Sequence, residues 1–341
     1  MPILTYRDAG VDIAAGARAV ELMRAAVMST YGPEVLAGIG AFGGLFDAAA
    51  LQGMAAPVLV ASTDGVGTKT KIAAALGRYD TIGHDIVNHC VNDILVQGGR
   101  PLFFLDYIAS AKLIPEVVAT VVGGCAAACR AVGCALLGGE TAEMPGVYAP
   151  GEFDLVGTIV GVVEREAIID GRSIAAGDII IGLASSGLHT NGYSLARRVL
   201  AGWDLTAHVP ELGRPLGEAL LAPHRAYLAE VQRLWAAGVA IHGLAHITGG
   251  GLLDNPPRIF PPAVAGRLRW GSWPIPPIFR LIQRLGQIDE REMAHTFNLG
   301  LGMLIITSAD QADAALRALG AGAWPVGEII ACDSEPHVQF V

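Results

Sequence analysis

One stretch of the chain combines an apolar run with residue types that hold phosphate. The run occupies residues 57–62, and the loop after it contains Asp64, Gly65, Gly67, Thr68 and Lys69. Glycines let backbone N–H groups approach an anion, lysine supplies a positive charge, and aspartate can hold Mg²⁺. The spacing is not that of a Walker A loop. Taken alone, the stretch indicates either a phosphate site or an ordinary hairpin turn at Asp64-Gly65.

A second polar set lies on one half of the helix predicted over residues 85–97. The other half of this helix is apolar. The polar half consists of Asp85, Asn88, His89, Asn92 and Asp93. These short groups suit fixed hydrogen bonds or a metal ion, whereas a solvated helix face usually carries Lys and Glu. A merely exposed face is the alternative.

Acidic residues also follow the short buried strand predicted over residues 134–137. The loop predicted after it, residues 138–146, holds Glu140, Thr141 and Glu143 beside glycines. Carboxylates and a hydroxyl next to glycines indicate metal or nucleotide chemistry. A polar loop that turns at Pro145-Gly146 is the alternative.

The C-terminal half has loops that are rich in Ser and Gly and poor in acids. A strand predicted at 179–184 leads into residues 185–192 and then into a helix, which makes an anion site by geometry. The same order recurs at 245–252, where the three glycines 249–251 allow close approach of a ligand or of another backbone segment. The glycine-rich residues 38–44 form either a mobile flap over a ligand or a turn.

The strands and helices that carry these loops alternate in both halves, which predicts an α+β (mixed α/β) protein of two domains, residues 1–170 and 171–341. The net charge of −9 argues against a nucleic-acid partner. The five cysteines form no Cys-x-x-Cys pair and indicate reduced thiols. Neither a signal peptide nor a membrane span is predicted. We therefore expect a cytoplasmic protein.

In this order, the motifs resemble those of the aminoimidazole ribonucleotide synthetase family. The resemblance runs from Tyr6 to Asn298. Its most specific blocks are residues 64–69, 90–93, 138–146, 185–195 and 248–251. One block could arise by chance, but five in register are a strong match.

The resemblance implies an ATP-dependent ring closure in purine synthesis, in which formylglycinamidine ribonucleotide and ATP give aminoimidazole ribonucleotide, ADP and phosphate. It also implies a homodimer in which the N-terminal domains pair their sheets into a barrel. The N-terminal domain would bind the nucleotide near that interface, and a three-layer α/β C-terminal domain would bind the substrate phosphate.

Residue by residue, the resemblance and the motifs together give a candidate site. The candidate catalytic residues are His189, Asp64, Lys69 and Asp93. The candidate ATP contacts are Gly40, Gly43, Gly65, Gly67, Thr68, Lys69, Asn92, Gly139, Glu140 and Thr141. The candidate substrate contacts are Ser186, His189, Asn191, Thr248, Gly249, Gly250 and Asn298. Asp64, Asp93 and Glu140 are the candidate ligands of one Mg²⁺.

Three places depart from the family pattern. His295 stands where an arginine usually precedes Thr-Phe-Asn, and Asp254 stands where a glutamate usually follows the three glycines. Gly99-Arg100 replaces a more usual pair of a small residue followed by an acid or Lys. A shorter acid could weaken a metal or hydrogen-bond contact, and a histidine could lose a fixed positive charge.

Two other functions compete with the ring closure. A sister enzyme such as selenophosphate synthetase would carry a reactive Cys or selenocysteine in a glycine-rich N-terminal segment, whereas the first cysteine here is Cys90 on an apolar helix face. Thiamine-phosphate kinase is a second sister enzyme. A non-catalytic nucleotide-binding regulator would be free to lose acids, lysine and glycine loops that this chain retains.

Overall fold

The structure, a computed structural model, describes residues 4–341. The chain divides into two compact units. Unit 1 comprises the described residues up to 94 together with 99–166, and unit 2 comprises 95–98 and 167–341. Both units combine helices with a β-sheet, so the predicted mixed α/β class is confirmed.

Unit 1 contains four helices and six strands of the described chain. They are α1 (Ile13–Met28), β1 (Val35–Ala37), β2 (Leu45–Phe46), β3 (Pro57–Gly65), α2 (Thr70–Leu76), α3 (Ile82–Leu95), β4 (Arg100–Ser110), α4 (Pro115–Ala131), β5 (Ala135–Glu143) and β6 (Phe153–Glu164). Helix α1 begins where the Asp12 side chain accepts hydrogen bonds from the N–H groups of Ala14 and Ala15. Helix α4 begins with Pro115, which needs no hydrogen-bond acceptor there.

The main sheet of unit 1 has the strand order β3-β6-β4-β5. Alternate residues of β4 are buried, and those between them, such as Phe103 and Tyr107, are partly exposed. Strand β6 alternates in the same way. One face of the sheet therefore packs on the unit's core, while the other is only partly covered and largely apolar.

Strand β5 is longer than the sequence predicted. It pairs in parallel with β4 as far as Ser110 and Glu143, so the loop predicted to start at Gly138 is strand for its first six residues. The Glu143 carboxylate accepts hydrogen bonds from the N–H groups of Asp12 (2.6 Å) and Leu113 (2.9 Å). These long-range bonds, which local sequence does not reveal, hold the end of β5 in the sheet.

Unit 2 contains eight strands, two of them paired only with each other, and seven helices of the described chain, if its short helices are included. They are β7 (Ile179–Ala184), α5 (Tyr193–Val199), β8 (His208–Val209), β9 (Arg214–Pro215), α6 (Leu216–Leu220), α7 (Leu228–Ala236), β10 (Gly243–His246), α8 (Gly251–Asp254), β11 (Val264–Leu268), α9 (Pro277–Gly286), α10 (Glu290–Thr296), β12 (Leu301–Thr307), α11 (Ala312–Leu319), β13 (Ala323–Ala331) and β14 (Val338–Phe340).

The six-stranded sheet of unit 2 has the order β10-β12-β7-β13-β11-β14. Its pairs are antiparallel except for β11 with β14. Strand β12 is buried at every position, as expected for a strand covered on both faces. The loops after β7 and β10, which carry the predicted phosphate motifs, therefore leave from strands separated by β12 alone.

Candidate active site

A histidine joins two of the predicted acidic residues at one end of β3. The Nε2 atom of His89 lies 3.0 Å from Oδ2 of Asp64 and 3.6 Å from Oδ2 of Asp93. The Ser62 hydroxyl donates a hydrogen bond to Asp93 at 3.0 Å. His89 and Asp93 are four residues apart on α3 and so share a helix face. The fold thus brings two hard oxygen donors together around one imidazole.

The electrostatics of this cluster favour its charged forms. Burial disfavours a charged His89, but the hydrogen bond to Asp64 and the charge of Asp93 outweigh it, so the pKa of His89 is raised. Partial burial opposes ionisation of Asp64, but the hydrogen bond from His89 prevails, so the pKa of Asp64 is lowered. The carboxylate of Asp64 is still 44% exposed, and it can therefore meet a ligand.

The polar half of α3 is not a solvated face. Asp85 and Asn92 are fully buried, and His89 is 3% exposed. The alternative interpretation of these residues as an exposed polar stripe is therefore wrong. Buried groups of this kind need defined partners, which agrees with the fixed hydrogen bonds that the sequence predicted.

Lys69 is also buried, and its ammonium group contacts a carboxylate of α3. Its Nζ atom lies 2.8 Å from Oδ1 of Asp85, and both side chains are fully buried. Burial lowers the pKa of Lys69, and the charge of Asp85 opposes that shift only in part. In this structure the ammonium group of Lys69 faces Asp85 rather than the protein surface.

Glu140 does not join Asp64 and Asp93 within one chain. Asp64 pairs with Gly157 of β6, Gly157 with Asp106 of β4, and Asp106 with Gly139 of β5. Asp64 and the neighbourhood of Glu140 are therefore three strand spacings apart, about 14 Å. The prediction that the three acids share one ion is wrong for a single chain, because β3 and β5 are opposite edges of the sheet.

The predicted ATP contacts fall into two groups. One group lines a cavity of about 610 Å³ in unit 1 and consists of Gly40, Gly43, Gly139, Glu140 and Thr141. The other lies at the end of β3, in the turn before α2 and near the end of α3, and consists of Gly65, Gly67, Thr68, Lys69 and Asn92. Gly67 and Thr68 line a smaller cavity of about 270 Å³ together with Lys71. Lys71, which pairs with Glu152, is the partly exposed lysine next to that cavity.

In unit 2, Asn298 braces the loop that follows β7. Its amide donates a hydrogen bond to the Gly187 carbonyl at 2.9 Å, and its oxygen accepts from the Ser185 hydroxyl and the Gly300 N–H, both at 2.9 Å. The side chain is 3% exposed. Asn298 therefore shapes the loop that contains Ser186, whose hydroxyl donates to the Pro223 carbonyl.

The loops after β7 and β10 lie side by side. A Cβ atom added to Gly249 would lie 3.4 Å from Oδ1 of Asn191. The Asn255 side chain holds the second loop, since it accepts from the Thr248 N–H at 2.7 Å and donates to the Gly249 carbonyl at 3.0 Å. The structure thus brings together Asn191, Thr248 and Gly249, with Gly250 next in the same loop.

The third glycine of residues 249–251 is explained by packing. Gly251 has φ +58°, and a Cβ atom there would lie 2.2 Å from the Ala294 carbonyl oxygen at the end of α10. The sequence left open whether the glycines serve a ligand or another backbone segment. For Gly251 the close neighbour is backbone.

His189 lies in a buried cluster of three histidines. It is fully buried and has a left-handed backbone, φ +63°. Its Nε2 accepts a hydrogen bond from the Ser186 N–H at 3.2 Å, and its ring stacks on that of His224 at 4.0 Å. The Nε2 atoms of His224 and His246 are 3.0 Å apart. Because Nε2 of His189 accepts, its neutral ring carries the proton on Nδ1, where it can serve as a donor.

Two of the departures from the family pattern, His295 and Asp254, contact each other. The Nε2 atom of His295 lies 2.8 Å from Oδ2 of Asp254. Both side chains are largely exposed beside a cavity of about 640 Å³ in unit 2. The shorter acid and the histidine thus form one polar pair.

Sequence reasoning missed several members of these clusters as site residues. The sequence does contain a pattern that points to His89 and Asp85, because they are spaced four residues apart on the same face of α3 as Asp93. No local pattern points to His224 and His246, since each is a single histidine whose neighbours become close only through the sheet order of unit 2.

The sequence matches known proteins along most of its length. Residues 46–163 match the family described as AIR synthase related protein, N-terminal domain, and residues 175–338 match its C-terminal domain. The chain belongs to the AIR synthase related family. A phosphoribosylformylglycinamidine cyclo-ligase of Magnetococcus marinus is 54% identical over 96% of this chain and 94% of its own. One of Sorangium cellulosum is 52% identical over 99% of both chains.

The fold of this AIR synthase related chain also occurs in more distant proteins. The hydrogenase maturation protein HypE, solved in complex with ATP, has a TM-score of 0.67 at 18% identity, and the match covers 94% of this chain and 90% of HypE. At that identity the likeness concerns the fold. Across the described residues, every helix is too short or too polar to traverse a membrane.

Proposed function

We propose that the chain is an ATP-dependent cyclo-ligase that converts formylglycinamidine ribonucleotide to aminoimidazole ribonucleotide, ADP and phosphate in purine synthesis. The observation that carries the proposal is the 54% identity, over 96% of the chain, to a protein named phosphoribosylformylglycinamidine cyclo-ligase. The complex of the similarly folded HypE with ATP supports the use of that nucleotide.

The reaction asks three things of the protein. The amide oxygen of the substrate attacks the γ-phosphorus, and ADP leaves. An amidine nitrogen of the same molecule then attacks the activated carbon, phosphate leaves, and a proton is lost from nitrogen. The protein must therefore orient the phosphates, hold the ribose phosphate and move one proton. We assign the first task to residues 1–170 and the other two to residues 171–341.

Two neighbouring carboxylates, Asp64 at the end of β3 and Asp93 on α3, fit a magnesium ion. Asp64 and Asp93 offer oxygen ligands, as Mg²⁺ requires, and the exposed fraction of Asp64 leaves room for water and phosphate oxygens. A bound Mg²⁺ neutralises charge on the transferring phosphoryl group. Glu140 stays a proposed ATP contact at the other edge of the sheet.

One assay separates this function from its competitors. We expect ADP release to depend on formylglycinamidine ribonucleotide and to match aminoimidazole ribonucleotide formation in a ratio of one to one. ADP release at a rate that does not depend on formylglycinamidine ribonucleotide would favour a sister kinase or synthetase. ATP binding without any ADP release would favour a regulator.

Asp93→Asn should lower turnover by at least roughly 10- to 100-fold, which is the loss typical of residues that only support a metal's ligands. The free energy of unfolding should change little, since the amide still accepts the hydrogen bond from Ser62. Turnover at limiting Mg²⁺ and urea unfolding measure the two effects. Asp80→Asn, which alters an exposed carboxylate of unit 1, is the control. Normal turnover of Asp93→Asn at limiting Mg²⁺ would refute the metal assignment.

We also infer a cytoplasmic homodimer whose N-terminal domains pair their sheets into a barrel. Among the described residues, large exposed apolar side chains are concentrated in unit 1, including Phe42, Leu45 and Leu59, the last 63% exposed. Leu59 lies on β3, on the partly covered face of the sheet. An apolar face of this kind marks a partner surface.

Leu59→Glu should convert the dimer into a monomer, because it places a charge on that apolar face. Trp203→Glu, at an exposed aromatic residue of unit 2, should leave the dimer intact. Sedimentation at micromolar concentration measures both. A wild-type protein that sediments as a monomer would end the proposal.

A further inference from the structure

Three buried histidines from separate segments of unit 2 meet with their ring nitrogens close together. His189 lies in the loop after β7, His224 lies between α6 and α7, and His246 ends β10. They are 0%, 1% and 7% exposed, respectively. One ring nitrogen of each lies within 4.8 Å of one ring nitrogen of both others. Three imidazoles in this arrangement are a donor set that transition-metal ions take in proteins.

The spacing of two of these nitrogens is close to the spacing in a zinc site. Zn–N bonds of about 2.0–2.1 Å at a tetrahedral angle place two ligand nitrogens about 3.3 Å apart. The Nε2 atoms of His224 and His246 are 3.0 Å apart. A small opening of this contact would therefore seat both nitrogens on one ion.

The hydrogen bonds of the cluster also suit a metal. Histidine ligates metals as a neutral ring, which has one N–H and one lone pair. In the contact between His224 and His246 one Nε2 donates and the other accepts, so one lone pair already faces the cluster. The donating ring presents the second lone pair when its proton moves to Nδ1. On His224, the Thr190 hydroxyl lies 3.2 Å from Nδ1 and can accept from it, as groups around metal-bound histidines usually do.

His189 joins the other two rings from a strained backbone. Its φ of +63° is a conformation that persists in a residue other than glycine only when its surroundings impose it. Its ring stacks on that of His224, with ring centroids 4.0 Å apart. The single lone pair of the neutral ring accepts from the Ser186 N–H, and a bound metal would take that lone pair in place of the hydrogen bond.

We propose that His189, His224 and His246 bind a Zn²⁺ ion and that the bound ion inhibits turnover. Imidazole nitrogens suit Zn²⁺, whereas Mg²⁺ requires oxygen ligands, so this site differs in its metal from the one proposed at Asp64 and Asp93. A ring that holds a metal cannot take up a second proton, and it therefore cannot exchange protons with a substrate. The inhibition rests on the proposed function and on the candidate role of His189 in it, whereas the binding does not.

Calorimetric titration of the full chain with ZnCl₂, in buffer with excess Mg²⁺, tests the binding. We expect the wild type to bind one Zn²⁺ per chain with a Kd of about 1 μM or lower. His224→Gln should raise this Kd by at least roughly 10- to 100-fold, the loss typical of residues that only support a metal's ligands. His208→Gln, at an exposed histidine of β8, should leave it unchanged. His246→Gln serves as the second variant if His224→Gln does not fold.

Co²⁺ gives an independent signature of the same site, because four-coordinate Co²⁺ absorbs visible light strongly. We expect the wild type to develop this absorption and to lose it when Zn²⁺ is added, and His224→Gln to develop none. Failure of the wild type to bind zinc, or equal zinc affinity of His224→Gln and the wild type, would overturn the site. An affinity that falls in Asp93→Asn but not in His224→Gln would place the ion at the carboxylates and would also overturn it.

Turnover of the wild type, with free Zn²⁺ set by a metal buffer, tests the inhibition. We expect the rate of aminoimidazole ribonucleotide formation to fall along the same curve as zinc binding and to return when a chelator is added. Full turnover with the site filled would overturn the inhibition and leave the proposed function standing. A wild type that shows no turnover without zinc would instead overturn the proposed function and the inhibition with it, while the titration still decides the site.

Discussion

His189→Gln should lower kcat by roughly 10²–10⁴-fold, the range in which general acid–base residues act. The ring closure must move a proton from the attacking nitrogen or toward the amide-derived oxygen, and histidine can exchange a proton near neutral pH. Glutamine keeps the capacity to hydrogen-bond but cannot shuttle a proton. Because Nε2 accepts from the Ser186 N–H and the proton stays on Nδ1, the geometry favours His189 as the group that donates a proton toward the oxygen.

Two measurements separate catalysis from positioning. The pH–rate profile should lose one limb in His189→Gln, and KM for the substrate should change less than kcat. His208→Gln, at an exposed histidine of β8, should leave both unchanged. A kcat within a few-fold of the wild type, with the same pH–rate profile, would leave His189 as a residue that only binds. Because the position has φ +63°, urea unfolding of the variant must accompany the assay.

The local parts of the site could be predicted from the sequence. Strand ends followed by glycines, acids and hydroxyls give Asp64, and the helical stripe of α3 gives Asp93. These features follow from the side-chain periods of strands and helices, two and 3.6 residues, which can be read directly from the order of residue types. The two glycine-rich loops of unit 2 were likewise visible, because each follows a buried strand.

The relations between distant elements could not be predicted in this way. No local feature of the sequence shows that β6 and β4 lie between β3 and β5. The sequence therefore predicts that Glu140 shares an ion with Asp64 and Asp93, although within one chain Glu140 lies too far from them. Nor does the local sequence show the surroundings of Lys69. Beside glycines this residue predicts a phosphate ligand, whereas in the structure it is buried and its ammonium group faces Asp85.

Lys69→Met should lower the free energy of unfolding by about 3–5 kcal/mol, because it leaves the Asp85 carboxylate buried without its cation. Lys71→Met removes a lysine from a pair that is about 39% exposed on both sides, and should cost less than about 1 kcal/mol. Urea unfolding compares the two. Equal stability of Lys69→Met and the wild type would show that the pair contributes little and that another group neutralises Asp85.

The double variant Lys69→Met/Asp85→Leu decides whether Lys69 also contacts the nucleotide. It removes both charges, and replacement of a buried ion pair by apolar residues of similar volume is often neutral for stability. We therefore expect a folded protein in which the predicted contact between Lys69 and the ATP phosphates can be measured alone. If that contact exists, the double variant folds but loses ATP affinity, while Asp80→Asn, at an exposed carboxylate of unit 1, keeps it. If ATP binds the double variant as it binds the wild type, Lys69 holds α3 through Asp85, and the phosphate charge must be met elsewhere.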